Sequence, residues 1–223
     1  MQKILMIKAF CRSSIALFVK NTLGIHALSD YEIFRLEGAD HLLYKGLPLD
    51  ESKSALICGG YLGESASTIY TKYKCNILVI EPIQHYASQL TSRFITNPKI
   101  TILEGSVSNI AGLVTLNDLG MATSEFRQGG TPIIVKSFRI TDVLESMNIY
   151  PSLIELNIEG GEYKCFEDLI ESDNLKKIQT ILVQFHDLTT DSEFERAKIR
   201  RLLRSTHREV FSFLWVWERW DRI

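Results

Sequence analysis

The 223 residues predict an open α/β fold of the Rossmann-like kind, a mostly parallel sheet with helices on both faces. Three observations predict it. The apolar run ending at Cys58 passes into a glycine turn, Gly59-Gly60-Tyr61-Leu62-Gly63, and then into a helix-like segment. About twenty residues further on, the apolar run Ile77 to Ile80 closes on Glu81, the spacing at which such units grip a ribose. A third run, Leu153 to Leu156, opens into the carboxylate-rich turn Asn157-Ile158-Glu159-Gly160-Gly161-Glu162. Open α/β sheets bind ligands beyond the C-terminal ends of their strands, where this turn would lie.

Taken in order, residues 1 to 50 predict an N-terminal helical appendage and residues 51 to 223 a single domain. Between Met1 and Ile25 the charges Lys3, Lys8, Arg12 and Lys20 interrupt every apolar run well short of a membrane span. That segment is expected as a helix packed on the domain; the alternative is a basic helix lying on a membrane surface. Alternation follows: strand Ala55 to Cys58, helix Glu64 to Tyr73, strand Ile77 to Ile80, helix Ile83 to Phe94 and strand Ile100 to Leu103. This is a parallel βαβαβ half.

Short strands at Leu113 to Leu116 and Ile133 to Phe138 flank a loop carrying Gly120, Gly129, Gly130 and Pro132. It reads as an insertion at the ligand edge, where loops carry substrate contacts. Then come helix Thr141 to Met147, strand Leu153 to Leu156, helix Tyr163 to Glu171, strand Thr180 to Phe185 and helix Ser192 to Arg204. A last aromatic strand, Val210 to Trp217, closes the sheet.

With 45% hydrophobic residues the chain can bury well over half of its unfolded surface in one core. Its 25 basic and 27 acidic side chains form no single-sign run, so nucleic acid is not the expected partner. The basic spacing Arg196, Lys198, Arg200, Arg201, Arg204 is that of a solvated helix face. Cys11, Cys58, Cys75 and Cys165 are scattered, without a CxxC pair, and read as reduced thiols of a cytoplasmic protein. No histidine and acid spacing of the HExxH kind occurs, so no metal is expected.

Gly59, Gly60 and Gly63 would let the backbone approach a cofactor, and Glu81 would accept hydrogen bonds from its ribose hydroxyls. Tyr61 and Pro82 flank those positions, and Gly105 and Ser106, past the third strand, are placed to read adenine. Plain tight turns, and an acid capping the helix after Pro82, are the bland alternatives. Asn157, Glu159, Glu162 and His186 all fall at or just past neighbouring strand ends, where they can converge. His186 is the expected base because its ordinary pKa lies near 6.5, with Glu159 and Glu162 holding the acceptor. The alternatives are a satisfied strand-end histidine, and acids that cap a helix or bond turn amides.

The glycine turn with Glu81-Pro82, the segment Ile140-Thr141-Asp142-Val143-Leu144, the signature Ile158-Glu159-Gly160-Gly161-Glu162 and the ending Val183-Gln184-Phe185-His186 together resemble the FkbM family of S-adenosylmethionine-dependent methyltransferases. The resemblance covers about residues 52 to 190. It implies a class I methyltransferase fold, seven-stranded and mostly parallel with an antiparallel C-terminal hairpin. It also implies S-adenosylmethionine as methyl donor and O-methylation, often of sugar hydroxyls, so that a saccharide or glycoconjugate is the expected acceptor. The chain departs from the family pattern at Ile57, where an acid is usual, and at Tyr61, Ile83 and Asn157. An acid facing the methionine ammonium contributes roughly 1.5 to 3 kcal/mol. A relative that keeps the fold as a binding module without turnover is therefore the second reading. A nicotinamide-dependent oxidoreductase is more distant, since the glycine turn lacks the GxGxxG frame.

Overall fold

The computed structural model describes residues 28 to 223; the helix expected between Met1 and Ile25 lies outside the described residues, as does Cys11. Chain entry is fixed by a capping box: Ser29 accepts from the Glu32 amide, while the Glu32 carboxylate accepts from the Ser29 amide at 2.7 Å. Helix α1 (Asp30–Leu36) and the short α2 (Asp40–Leu43) follow. The main elements are then β1 (Ser54–Cys58), α3 (Glu64–Tyr73), β2 (Asn76–Glu81), α4 (Gln84–Phe94) and β3 (Ile100–Glu104). Next come β4 (Ser106–Ser108), β5 (Gly112–Asp118), β6 (Thr131–Arg139), α5 (Ile140–Ser146), β7 (Leu153–Leu156) and α6 (Glu162–Glu171). The chain ends with β8 (Thr180–Val183), α7 (Ser192–Leu203), β9 (His207–Phe213) and β10 (Trp217–Arg222).

Seven strands form one sheet in the order β3-β2-β1-β7-β8-β10-β9, parallel from β3 to β8. The last two strands run antiparallel, and β10 inserts between β8 and β9. The antiparallel C-terminal hairpin that the resemblance implies is present, and the single strand read over Val210 to Trp217 is corrected: the chain turns at residues 214–216 and pairs Phe213 with Trp217. Aromatic side chains populate both arms, so their density alone does not reveal the turn.

Side chains alternate across the sheet with the two-residue period of a strand. Leu56, Cys58, Ile80, Ile154, Leu156, Ile181 and Val183 pack against α5, α6 and α7. Ala55, Ile57, Ile77, Val79, Leu153 and Leu182 pack on the opposite face, with Phe34, Leu43, Leu47 and Leu49 joining the residues of α3 and α4 in the same core. Residues 28 to 50 thus share their burial with the sheet. Among the described residues no helix is long and apolar enough to cross a membrane.

The insertion is a second sheet of three strands, order β4-β6-β5. Strand β4 occupies the residues after Glu104-Gly105, and β5 and β6 pair antiparallel over Gly112 to Asp118. Their connecting loop, residues 119–130, swings across the C-terminal ends of the large sheet's strands.

Candidate active site

One cavity of about 310 Å³ opens at those strand ends. Its floor is the β1 turn. Gly59 sits at φ +92°, and a side chain there would drive a Cβ to 2.1 Å from the Asn157 carbonyl oxygen, so the crossing of the β1 and β7 ends demands glycine. The next residue but one, Tyr61, also lies in the left-handed region at φ +43°. This sends its amide to Glu81 Oε2 at 2.8 Å and its ring edge-on to Tyr86, centroids 4.8 Å apart.

Glu81 ends β2 almost wholly buried and accepts from the Ile83 amide at 2.9 Å with its other oxygen. Burial lifts its carboxyl above the ordinary value, against the pull of the amides of Ile83 and Tyr61. The Gly60 amide also acts on this carboxylate, and its remaining lone-pair capacity is open to a hydroxyl donor. Pro82 and Ile83 continue the wall, and across from them stand Gly105, Ser106 and Val107. The Ser106 hydroxyl is buried and has no hydrogen-bond partner among the described residues. An orphaned buried hydroxyl beside a strand-end acid fits a ligand that brings its own polar edge, such as an adenosine.

Two glycines expected as cofactor contacts stand off the cavity wall. A Cβ on Gly60 would strike Val79 and Leu90 at 2.4 and 2.8 Å, and one on Gly63 would meet Leu90 and Phe94 at 2.8 Å. Neither glycine lines the cavity; both exist so that α4 can close on the β1 turn. Ile57, where the family pattern has an acid, is fully buried in the core on the α3 face and is likewise absent from the wall.

The signature turn is brought together as expected, but its members divide. Glu159 and Asn157 line the cavity, whereas Glu162 and His186 lie behind it. Glu162 is completely buried and accepts from the amides of Gly160 at 2.9 Å and His186 at 2.7 Å. His186 Nδ1 lies 3.1 Å from Glu162, and Nε2 lies 3.1 Å from Glu159 Oε1, an ion-pair contact with poor hydrogen-bond direction. Burial of the ring favours its neutral form, yet the two carboxylates outweigh that and push its pKa up to about 9.

The structure sets His186, expected as the base, behind the cavity wall and between Glu162 and Glu159. A ring that keeps its proton at neutral pH has no lone pair to receive another. Burial alone would raise the Glu159 carboxyl, but His186 and Arg127 hold it below its ordinary value, which makes it a weak base too. Its Oε2 accepts from Arg127 Nε and Nη2 at 3.1 and 3.0 Å. The acid is spent on cations.

Asn157 is different. Its backbone amide joins Cys58 O at 3.1 Å, while its side-chain amide makes no hydrogen bond among the described residues. Beside it, from the end of β8, stands Gln184, whose side chain is equally unengaged and which also lines the cavity. Gln184 belongs to the Val183-His186 ending and follows from the same strand-end logic, but its neutral side chain gave no reason to choose it over the histidine. Tyr86, Met121, Ser124, Glu125 and Phe126 complete the wall. Tyr86 comes from a helix and the other four from the insertion, where spacing carries no signal. Among the described residues no group of His, Cys, Asp or Glu is arranged to hold a metal.

The Methyltransferase FkbM domain family matches residues 58–219. Among solved structures the fold is similar to a putative rRNA methylase from Clostridium thermocellum, with TM-score 0.55 and 7% identity over 84% of this chain and 95% of that one. It is also similar to SMU.1697c, a putative methyltransferase from Streptococcus mutans in complex with SAH, with TM-score 0.52 and 4% identity over 84% and 97% of the two chains. A search of curated protein sequences finds no match. At such identities the structures speak for the fold alone; the family match extends from the strand before the glycine turn to the C-terminal hairpin, most of the chain. With the glycine cradle, the strand-end acid and the signature turn in their places, the chain belongs to the FkbM methyltransferase family.

Proposed function

We propose that this protein transfers the methyl group of S-adenosylmethionine to a hydroxyl oxygen of a saccharide or glycoconjugate. S-adenosylmethionine is the cofactor, and the residues fit it: Gly59 and Tyr61 on the floor, Glu81 for the ribose, and Pro82, Gly105 and the orphaned Ser106 hydroxyl for the adenine edge. When bound, it supplies an electrophilic methyl on a sulfonium centre.

The observation that carries the acceptor assignment is the pair of unengaged carboxamides, Asn157 and Gln184, at neighbouring strand ends in the same cavity. A carboxamide both donates and accepts, which suits a neutral hydroxyl rather than a fixed ion. The charged groups nearby are already matched: Arg127 with Glu159 and Lys164 with Glu125 at 2.8 Å. Asn157 would orient the acceptor oxygen toward the methyl that the cofactor supplies, and the hydroxyl proton would pass to water. Rate enhancement on this reading comes from proximity and alignment rather than from a side-chain base.

The test is to incubate the purified chain with methyl-labelled S-adenosylmethionine and separate saccharide, protein and RNA acceptor fractions of a cell extract. Label in the saccharide fraction, as an ether stable to mild alkali, is expected. Label confined to RNA or protein overturns the acceptor assignment.

A further inference from the structure

We infer that Arg127 is a positioning residue of the cofactor pocket, acting through Glu159 to hold the pocket's outer wall in place. The inference rests on the methyltransferase reading above and adds to it a residue that sets how firmly the cofactor is held.

The wall is the stretch Gly120 to Phe126 of the insertion loop. It spans the strand ends from Tyr86, whose hydroxyl lies 3.6 Å from where a Gly120 Cβ would stand, to Gly160, where a Cβ would meet the Phe126 ring at 2.7 Å. Met121, Thr123, Ser124, Glu125 and Phe126 all face the cavity. Across residues 119 to 130 only Ser124 is buried, so no apolar core holds this loop down. A segment with so little burial depends on its polar bonds for order.

Most of those bonds to the body of the protein converge on one residue. Arg127 grips the Glu159 carboxylate with two nitrogens, and the Ser124 hydroxyl donates to the Glu159 carbonyl at 2.6 Å. Lys164 adds a separate tie to Glu125. Glu159 itself stands at φ +50°, a conformation that a side chain with a Cβ keeps only when its surroundings impose it. Here the imposition comes from both ends of the residue, through Arg127 and Ser124 in front and His186 behind, itself held by Glu162. The sequence Arg127, Glu159, His186, Glu162 alternates in charge from the cavity wall into the core.

The loop walls one side of the cavity, so the Arg127–Glu159 pair sets how firmly that side is held against a bound cofactor. The pair's side chains are 38% and 17% exposed, so water and salt reach it.

The experiment follows S-adenosylhomocysteine binding by stopped-flow in wild type, Arg127→Ala, Arg127→Lys and Ser124→Ala, with melting temperature and amide hydrogen exchange measured on the same samples. Arg127→Ala should raise the dissociation rate at least tenfold and speed exchange over residues 119 to 127, with a melting temperature within a few degrees of wild type. Arg127→Lys should restore part of the slow release, and Ser124→Ala should shift it in the same direction by less. Added salt should speed release from wild type but not from Arg127→Ala. Wild-type rates in a folded Arg127→Ala overturn the inference and leave the methyltransferase reading standing. If wild type binds no S-adenosylhomocysteine, the reading falls and the inference with it.

Discussion

A single oxygen of Glu162 holds His186 at two points: Oε1 accepts from the histidine's backbone amide at 2.7 Å and lies 3.1 Å from its Nδ1. The second ring nitrogen faces Glu159. This imidazole is wedged between two acids, which push its pKa up against its burial. It ties the end of β8 to the start of α6 and supports the signature turn from behind.

The first expected outcome concerns pH. The ring is buried, which lowers its pKa, but the carboxylates raise it to about 9 from an ordinary 6.5. A folded-state pKa above the unfolded one gives stability that is complete below about 6.5 and is lost as pH rises through about 9. The difference corresponds to at most roughly 3 kcal/mol. His186→Gln should therefore melt well below wild type at pH 6, with the gap narrowing by pH 10. A gap that does not change with pH contradicts a charged His186.

Glu81→Ala should weaken S-adenosylhomocysteine binding by roughly 1 to 3 kcal/mol, since it removes the carboxylate that faces the ribose. The same change also strands the amides of Tyr61 and Ile83, so some loss of melting temperature is expected alongside. Glu81→Gln should keep most of the stability and lose part of the affinity. Titration calorimetry on the folded variants checks this, and unchanged affinity would remove Glu81 from the binding site.

Glu155 stands in β7 with its side chain turned into the core on the α3 face, and its Oε2 has no partner among the described residues. Burial pushes its carboxyl up, only partly offset by Ser65 and Tyr44. For an acid with a raised folded-state pKa, ionisation costs stability above the ordinary range near 4.5, and the cost disappears on acidification. Glu155→Gln should raise the melting temperature at pH 8 and gain little at pH 4.5. A variant less stable than wild type at pH 8 contradicts this.

Much of the fold was legible because its strands are short apolar runs closed by glycine or acid, and both the period and the closure survive in the structure. Ala55 to Gly59 and Ile77 to Glu81 are the plainest cases. The C-terminal hairpin was blurred because Trp215 and Val216 in the turn look no different from the strand residues on either side. Glu81, Ser106 and Asn157 line the cavity where strand-end placement puts them. That Gly60, Gly63 and His186 stand off the cavity wall was not legible, because local spacing does not tell which face of a turn meets a helix. Nor does it tell that two acids would bracket one ring. Arg127 carried no signal at all: its partner is 32 residues away and the contact exists only once the insertion folds back over the sheet.

The most direct test of the central claim is calorimetric titration of the purified wild-type chain with S-adenosylhomocysteine. One site per chain with a dissociation constant of roughly 1 to 100 μM, or tighter, is expected from a cavity that offers a glycine floor, a strand-end acid and an unengaged serine hydroxyl. No heat and no shift in melting temperature at millimolar ligand would contradict the claim that this cavity is a methyltransferase cofactor site.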